Sequence, residues 1–212
     1  FWTAGLTKIP SGGWFPLVIA AAVFTIMTTW KRGRALLADR LAESALPIAN
    51  LESRIKTAAP TRVEGTAVYL TRDPKFVPHA LLLNLQHNKV LHERIVFLGI
   101  FTEGIAYVAA VQRVRIDMLS PNVSRVTVRY GFAEDPDVAA VIERCRQMGL
   151  AIDPAETTFF VGRETLLATE RPGMAIWRER LFSRLARNAR RATRYFKIPP
   201  NRVVELGAEI EL

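Results

Sequence analysis

Apolar residues are unevenly spread along this chain. No charged residue occurs between Lys8 and Lys31, and residues 14–30 are apolar apart from three threonines. A helix needs roughly 20 residues to cross a hydrocarbon core of ~30 Å, and this run is just long enough. Gly12 and Gly13 break the backbone ahead of it, and Pro16 falls in a first helical turn, where its missing N–H costs nothing. Trp14 and Trp30 bracket the run at the depths that indole rings prefer, and Lys31, Arg32 and Arg34 follow at once. A secretory signal would carry its charges before the apolar run, and a buried helix of a water-soluble domain is rarely apolar all round for five turns. The pattern therefore predicts a membrane helix with a basic flank over residues 14–34. Its Ala20, Ala21, Ala22, Thr25, Thr28 and Thr29 suit packing against other membrane helices.

Beyond Arg34 the pattern changes. Residues 35–61 read as a polar-amphipathic connector in which Pro47 divides or bends any helix, ending at Ala58-Ala59-Pro60. From residue 62 to 212 short apolar runs alternate with helical patterns, which predicts an α/β domain with a mixed β-sheet. Strands are expected over 66–71, 94–101, 157–161 and 202–206. The run 94–101 has no polar alternation, so it is expected to be covered on both faces. Residues 113–119 and 123–130 alternate cleanly around Ser120-Pro121-Asn122, as an antiparallel hairpin does. Helices are expected over 79–87, from an Asp135-Pro136-Asp137 cap to Met148 before Gly149, and over 174–196.

Composition sharpens this picture. The 212 residues are 50% hydrophobic and 23% charged, with a mean hydropathy of +0.12, which excludes a disordered chain. Lys and Arg number 29 against 20 Asp and Glu, giving a net charge of +9 and a pI near 10.3, so an anionic neighbour is expected. The single cysteine excludes an internal disulfide and a cysteine-based zinc cage. The chain begins with Phe1 rather than Met, and residues 1–13 are expected to be the end of a preceding membrane segment or loop, as in a piece of a larger protein.

Few residues carry chemistry. His79, His87 and His92 fall close together, but His87 and His92 are five apart, ~140° around a helix, where a zinc motif would put both on one face. A helix-to-strand turn, with Asn88 in the left-handed conformation, accounts for this segment better. Cys145 reads as a buried thiol, and the pairs Asp135/Asp137 and Glu209/Glu211 as a helix cap and a wet strand face. No dinucleotide, Walker-type or nucleophile-elbow motif occurs. Catalytic, cofactor-binding and metal-binding residues are accordingly assigned to none, and no enzyme is expected. The predicted helix 174–196 places Met174, Trp177, Leu181, Leu185, Ala189, Ala192 and Phe196 on a buried stripe. Its other faces carry Arg178, Arg180, Arg184, Arg187, Arg190, Arg191 and Arg194 against the single acid Glu179. Such a face can be solvated or paired, contact anionic lipid, or bind phosphate. It lacks exposed aromatic residues for base stacking.

Six blocks then resemble one family in order. Gly12-Gly13-Trp14-Phe15-Pro16-Leu17 with Thr29-Trp30-Lys31-Arg32-Gly33-Arg34 is similar to the last membrane span of the Kup/HAK/KT potassium uptake permeases. Gly65-Thr66-Ala67-Val68-Tyr69-Leu70-Thr71, His87-Asn88-Lys89-Val90-Leu91-His92-Glu93 and Tyr130-Gly131-Phe132-Ala133-Glu134-Asp135-Pro136-Asp137-Val138 are similar to the tail of the bacterial members. Phe159-Phe160-Val161-Gly162-Arg163-Glu164 and Ile198-Pro199-Pro200-Asn201-Arg202-Val203-Val204-Glu205-Leu206-Gly207 extend the likeness to the C-terminus. The resemblance implies the C-terminal portion of an inner-membrane transporter that takes up K⁺, coupled to H⁺, with a cytoplasmic tail that is structural, oligomerising or regulatory. K⁺ and H⁺ would be cargo of earlier spans, and no ion ligand is carried over to this chain. The implied partners are the anionic face of the lipid bilayer, the remaining membrane helices and a second copy in a homodimer, with no nucleic acid. Two other readings stand beside it. One is a membrane-anchored module binding a nucleotide or second messenger through its arginine-rich helix, with Arg187 and Arg191 as the residues whose change to Glu would abolish it. The other is a water-soluble nucleic-acid binder, which requires residues 14–30 to be a buried helix.

Overall fold

The computed structural model describes residues 13–43, 45–167, 173–187 and 196–211. The expectation for residues 1–12, and that for the second half of the arginine helix, residues 188–195, lie outside them. Two compact units emerge. Among the described residues the first holds 13–43, 166–167, 173–187 and 209–211, and the second holds 45–165 and 196–208.

The first unit is built on α1, Trp14–Glu43. It is 30 residues long, about 45 Å at 1.5 Å per residue, and is the one helix among the described residues long and apolar enough to cross a membrane. Leu17, Val18, Phe24 and Met27 are exposed, as lipid-facing side chains are in the absence of lipid. The hydroxyls of Thr25 and Thr28 donate to the carbonyls of Ala21 and Phe24, both at 2.8 Å, so the span leaves neither donor unsatisfied. The helix does not stop at its basic flank. Residues 35–43 are mostly Ala, Leu, Arg and Glu, strong helix formers, and carry it straight on to Glu43.

The second unit contains a six-stranded sheet in the order β3-β4-β2-β1-β5-β6. The strands are β1 Thr61–Thr71, β2 Val90–Glu103, β3 Val114–Ser120, β4 Val123–Gly131, β5 Thr157–Leu167 and β6 Val203–Glu211, of which residues 166–167 and 209–211 count with the first unit. β1 runs parallel to β2 and β5, β2 runs parallel to β4, and the hairpin partner β3 is antiparallel to β4. The sheet is therefore mixed, as the patterning predicts, with the parallel strands central and the alternating hairpin strand at an edge. The strands reach further than their apolar runs, because ladder bonds continue into the polar ends.

Successive side chains point to opposite faces, so each central strand feeds two cores. On one face Val68, Val96, Leu98, Val126 and Val128 meet Val138, Val141, Ile142 and Cys145 of helix α5, Val138–Gln147, which follows the single-turn α4, Ala110–Arg113. On the other, Ala67, Tyr69, Ile95 and Phe97 meet Ala80, Leu81 and Leu85. These last come from the short helix α3, His79–Leu83, and the π turn Asn84–Asn88 that follows it. Leu46, Ile48, Leu51 and Ile55 pack into this second core as well. Leu51 and Ile55 lie on α2, Leu51–Ala58. Residues 45–58 are thus built onto the sheet, and Pro47 falls between two helices, α1 and α2, ahead of a 3₁₀ turn, so it divides the helical pattern rather than bending it.

Two backbone details follow from side-chain chemistry. Lys89, not the expected Asn88, takes the left-handed conformation, at φ 55°. Asn88 is kept in the π turn because its amide Nδ2 donates to Asn84 Oδ1 at 2.8 Å, so the chain reverses one residue later. In β1, Gly65 has φ 92° and the register slips between Val63 and Thr66; a Cβ on Gly65 would lie 2.8 Å from the Glu156 carbonyl oxygen. The expected helix stop at Gly149 is present, with φ 92°, and Asp137 accepts the Ala140 N–H at 3.0 Å as the expected cap of α5.

His92 makes this unit sensitive to mild acid. Its ring lies edge-on to Phe160 at 5.6 Å, Nδ1 is buried without a partner among the described residues, and burial lowers its pKa below the usual 6.5. The unfolded chain therefore binds the proton first, so the contribution of neutral His92 is complete above about pH 6.5 and is lost as pH falls through the lower folded value. The urea midpoint of the sheet is expected to drop between about pH 7 and 5, and His92→Gln to remove that limb. The depressed carboxylates Asp117 and Glu134 act only nearer pH 4, so their loss is separable in the same titration.

Candidate functional site

The residues first weighed for chemistry are scattered through the second unit. His79 begins α3, the exposed His87 lies in the π turn and His92 lies in β2, and no cluster of three metal-ligating side chains occurs among the described residues. Cys145 faces the core from α5, where burial pushes its thiol up to about 11, far from a reactive thiolate.

The sequence blocks of the second unit prove to be structural locks. In the block around Tyr130, Glu134 accepts the N–H groups of Gly131 at 2.7 Å and Val108 at 3.1 Å and pairs with Arg113. The two N–H bonds, with the Arg113 charge, hold its carboxyl below the usual range. The guanidinium of Arg113 lies 5.2 Å over the Tyr130 ring, whose hydroxyl accepts the Asp137 N–H at 3.2 Å. Gly131 is required because a Cβ would collide with the backbone of Ala106. The block that begins at His87 is served by Asn84, whose buried amide donates to the Val90 carbonyl at 2.9 Å and to the Tyr69 hydroxyl at 3.3 Å. Asp117 is held between Arg115 at 3.0 Å and Arg125 at 3.2 Å, and these two guanidinium groups lower its pKa, Arg115 foremost.

In the first unit a different arrangement gathers polar and aromatic groups at the charged end of the membrane-length helix. Helix α6, Ile176–Arg187, packs on α1 where Thr29, Gly33 and Leu37, each four residues apart, form a buried stripe. Phe182 is 1% exposed, and a Cβ on Gly33 would fall inside three of its ring carbons. The Trp30 ring flanks it at 5.4 Å and 60°. Arg178 Nε donates to the Thr29 hydroxyl at 3.0 Å, and Arg32 reaches the Gly173 carbonyl at 3.5 Å. Glu179 is wholly buried; one oxygen accepts the Met174 N–H at 3.3 Å, and Oε2 has no partner among the described residues. This clasp joins the base of the apolar helix to a segment about 140 residues further along the chain, Arg178 to Thr29 being 149 apart.

The clasp corrects the expected helix. Its buried positions are Glu179 and Phe182, while Trp177 is 58% exposed and Leu181 and Leu185 are only half-buried. Periodicity finds an apolar stripe but not which of two apolar faces meets a partner. Gly33 in the basic flank is the one sequence signal of a close approach. Arg187, offered for nucleotide binding, is exposed on α6, and Arg191 lies outside the described residues.

A membrane-length helix in one unit and an α/β sheet in the other define a membrane protein with an α/β domain, and comparison with known proteins says which. The model of the K⁺ potassium transporter integral membrane domain matches residues 1–35, and that of the K⁺ potassium transporter C-terminal domain matches residues 64–212. The chain belongs to this family of potassium transporters, a class of transporter rather than of enzyme, and comprises the C-terminal portion. A "Probable potassium transport system protein Kup" of Myxococcus xanthus is 51% identical over the whole chain, which covers 32% of that protein. Two others so named, Kup 2 of Chromobacterium violaceum and Kup 1 of Dechloromonas aromatica, are each 49% identical over the whole chain, which covers 34% of either. The chain thus spans about a third of the length of the curated relatives it matches. No solved structure matches it.

Gly33→Ala is expected to break the clasp, because the methyl has to displace the Phe182 ring. Overpacking of this kind costs about 1–3 kcal/mol. Amide exchange in α6 should quicken while the six-stranded sheet keeps its protection, and Phe182→Leu in the Gly33→Ala background should restore part of the loss. An unchanged α6 in Gly33→Ala would mean that the two helices do not touch there.

Proposed function

We propose that the chain is the C-terminal part of a potassium uptake transporter, with α1 as its last membrane helix and the α/β unit in the cytoplasm. The observation that carries this reading is that the matched integral membrane segment, residues 1–35, holds the apolar run of the one membrane-length helix among the described residues, Trp14–Glu43. The orientation follows from charge: Lys31, Arg32 and Arg34 stand just beyond the apolar run, and such residues are retained on the cytoplasmic side of an inner membrane. Transport of K⁺, coupled to H⁺, belongs on this reading to spans upstream of this chain. No carboxylate, histidine or asparagine lies within residues 14–30 to coordinate a cation or carry a proton, which supports a scaffold role for α1. The α/β unit then acts as a structural or regulatory tail, and the clasp of α6 on α1 ties a segment of the tail sequence to the last membrane helix.

The test uses potassium-uptake-deficient bacteria rescued by the full-length gene, with rubidium uptake measured and membrane abundance checked by blot. Deletion of residues 58–212 is expected to abolish uptake at normal abundance. Full uptake by the deletion would overturn a part for the tail in transport, and failure of the intact gene to rescue would overturn the transport reading itself.

A further inference from the structure

The clasp leaves α6 with a second face that is largely open among the described residues. At 100° per residue, Arg180, Arg184 and Arg187 form one line along the helix, and Trp177, Leu181 and Leu185 form a neighbouring line, both turned away from Glu179 and Phe182. The three arginines are exposed and form no ion pair among the described residues, and Trp177 shows 58% of its surface. This is unusual for a water-facing helix, where an indole and two leucines beside a cationic row have no purpose. It is the pattern of a helix lying in the plane of a bilayer surface, its apolar line dipping into the acyl boundary and its arginines at phosphate depth.

The depth of α6 points the same way. It meets α1 through Thr29, Trp30 and Gly33, the turn at which the apolar run gives way to Lys31 and Arg32. In a helix that spans a bilayer, this turn lies at the headgroup level. The long arginine stems can also bend toward the phosphates while their methylenes lie along apolar surface. Charge selects the lipid. Arg180, Arg184 and Arg187, with Lys31 and Arg34 on α1, have no facing carboxylate among the described residues, since the one acid of α6, Glu179, is buried beneath.

We propose that the outward face of α6 is a binding site for anionic phospholipid, with Arg180, Arg184 and Arg187 on the headgroup phosphates and Trp177 in the acyl boundary. The inference rests on α1 spanning a membrane. Anionic lipid then does more than surround the protein: by holding α6 it strengthens the clasp on α1, so leaflet charge bears on the coupling of tail to membrane helix.

The test places the whole chain, one copy per disc, in lipid nanodiscs of phosphatidylcholine containing one part in three of phosphatidylglycerol. Acyl bromine is placed on one lipid or the other, and quenching of Trp177 is obtained by difference from Trp177→Phe. Quenching per brominated chain is expected to be about tenfold stronger from phosphatidylglycerol. That preference should vanish in the Arg180→Gln, Arg184→Gln, Arg187→Gln triple variant, whose exposed and conservative changes leave the fold intact, and should persist in Arg144→Gln on α5. Absence of quenching by either lipid would overturn the proposal, as would equal quenching by both. So would loss of the preference on adding millimolar inorganic phosphate or ATP, which would assign the arginines to a soluble anion. Quenching that appears only with two copies per disc would assign the face to a second chain and overturn it too. A chain that does not enter the discs at all would instead refute the membrane span, so the two failures are distinguishable.

Discussion

The first unit hangs on a missing side chain. At Gly33 the backbone of α1 comes so close to the ring of Phe182 that no methyl group fits between them. Close backbone approach is how helices associate where lipid removes the hydrophobic incentive, because dispersion and a few hydrogen bonds are then all that is left. Around this contact the geometry is completed by Trp30 against the ring and by Arg178 on the Thr29 hydroxyl. Without the glycine, α6 has no seat, and the buried Glu179 and the stripe of Thr29, Gly33 and Leu37 lose their reason for burial.

The second unit is governed by a different constraint. A parallel sheet buried on both faces must end its strands in loops that satisfy their own polar groups, since no neighbouring strand does so. Two of the blocks shared with the potassium permeases, around Tyr130 and from His87, sit at such ends. Glu134 gathers two N–H groups and a guanidinium beyond β4, and Asn84 closes the π turn before β2. None of the side chains in these locks is arranged as an ion ligand or a nucleophile; their chemistry is spent on the backbone. The Cys145 thiol, pushed up to about 11 by burial, likewise serves the core.

Much was legible in the residues taken in order. The apolar run with its Trp and Lys-Arg borders, the strand periodicities, the Asp137 cap and the Gly149 stop are all local signals, and each was found where it pointed. The family could be named from ordered blocks alone, since such blocks survive as short contiguous words. Less legible were the ends of elements. The helix past Arg34 and the long β2 run on because favourable propensity and ladder hydrogen bonds outlast hydrophobic contrast.

By itself, then, the sequence determined what each stretch is able to become: a membrane-length helix, a doubly covered strand, an edge hairpin, an arginine helix. Tertiary structure alone decided the pairings. Periodicity is blind to which of two apolar faces finds a partner, so Trp177, Leu181 and Leu185 read as buried while Phe182 and Glu179 were the residues taken inside. It is equally blind to a contact such as Arg178 with Thr29, 149 residues apart, because nothing in either neighbourhood encodes the other. That contact exists only once Gly33 lets two helices meet, and the outward row of arginines acquires its meaning from the same event.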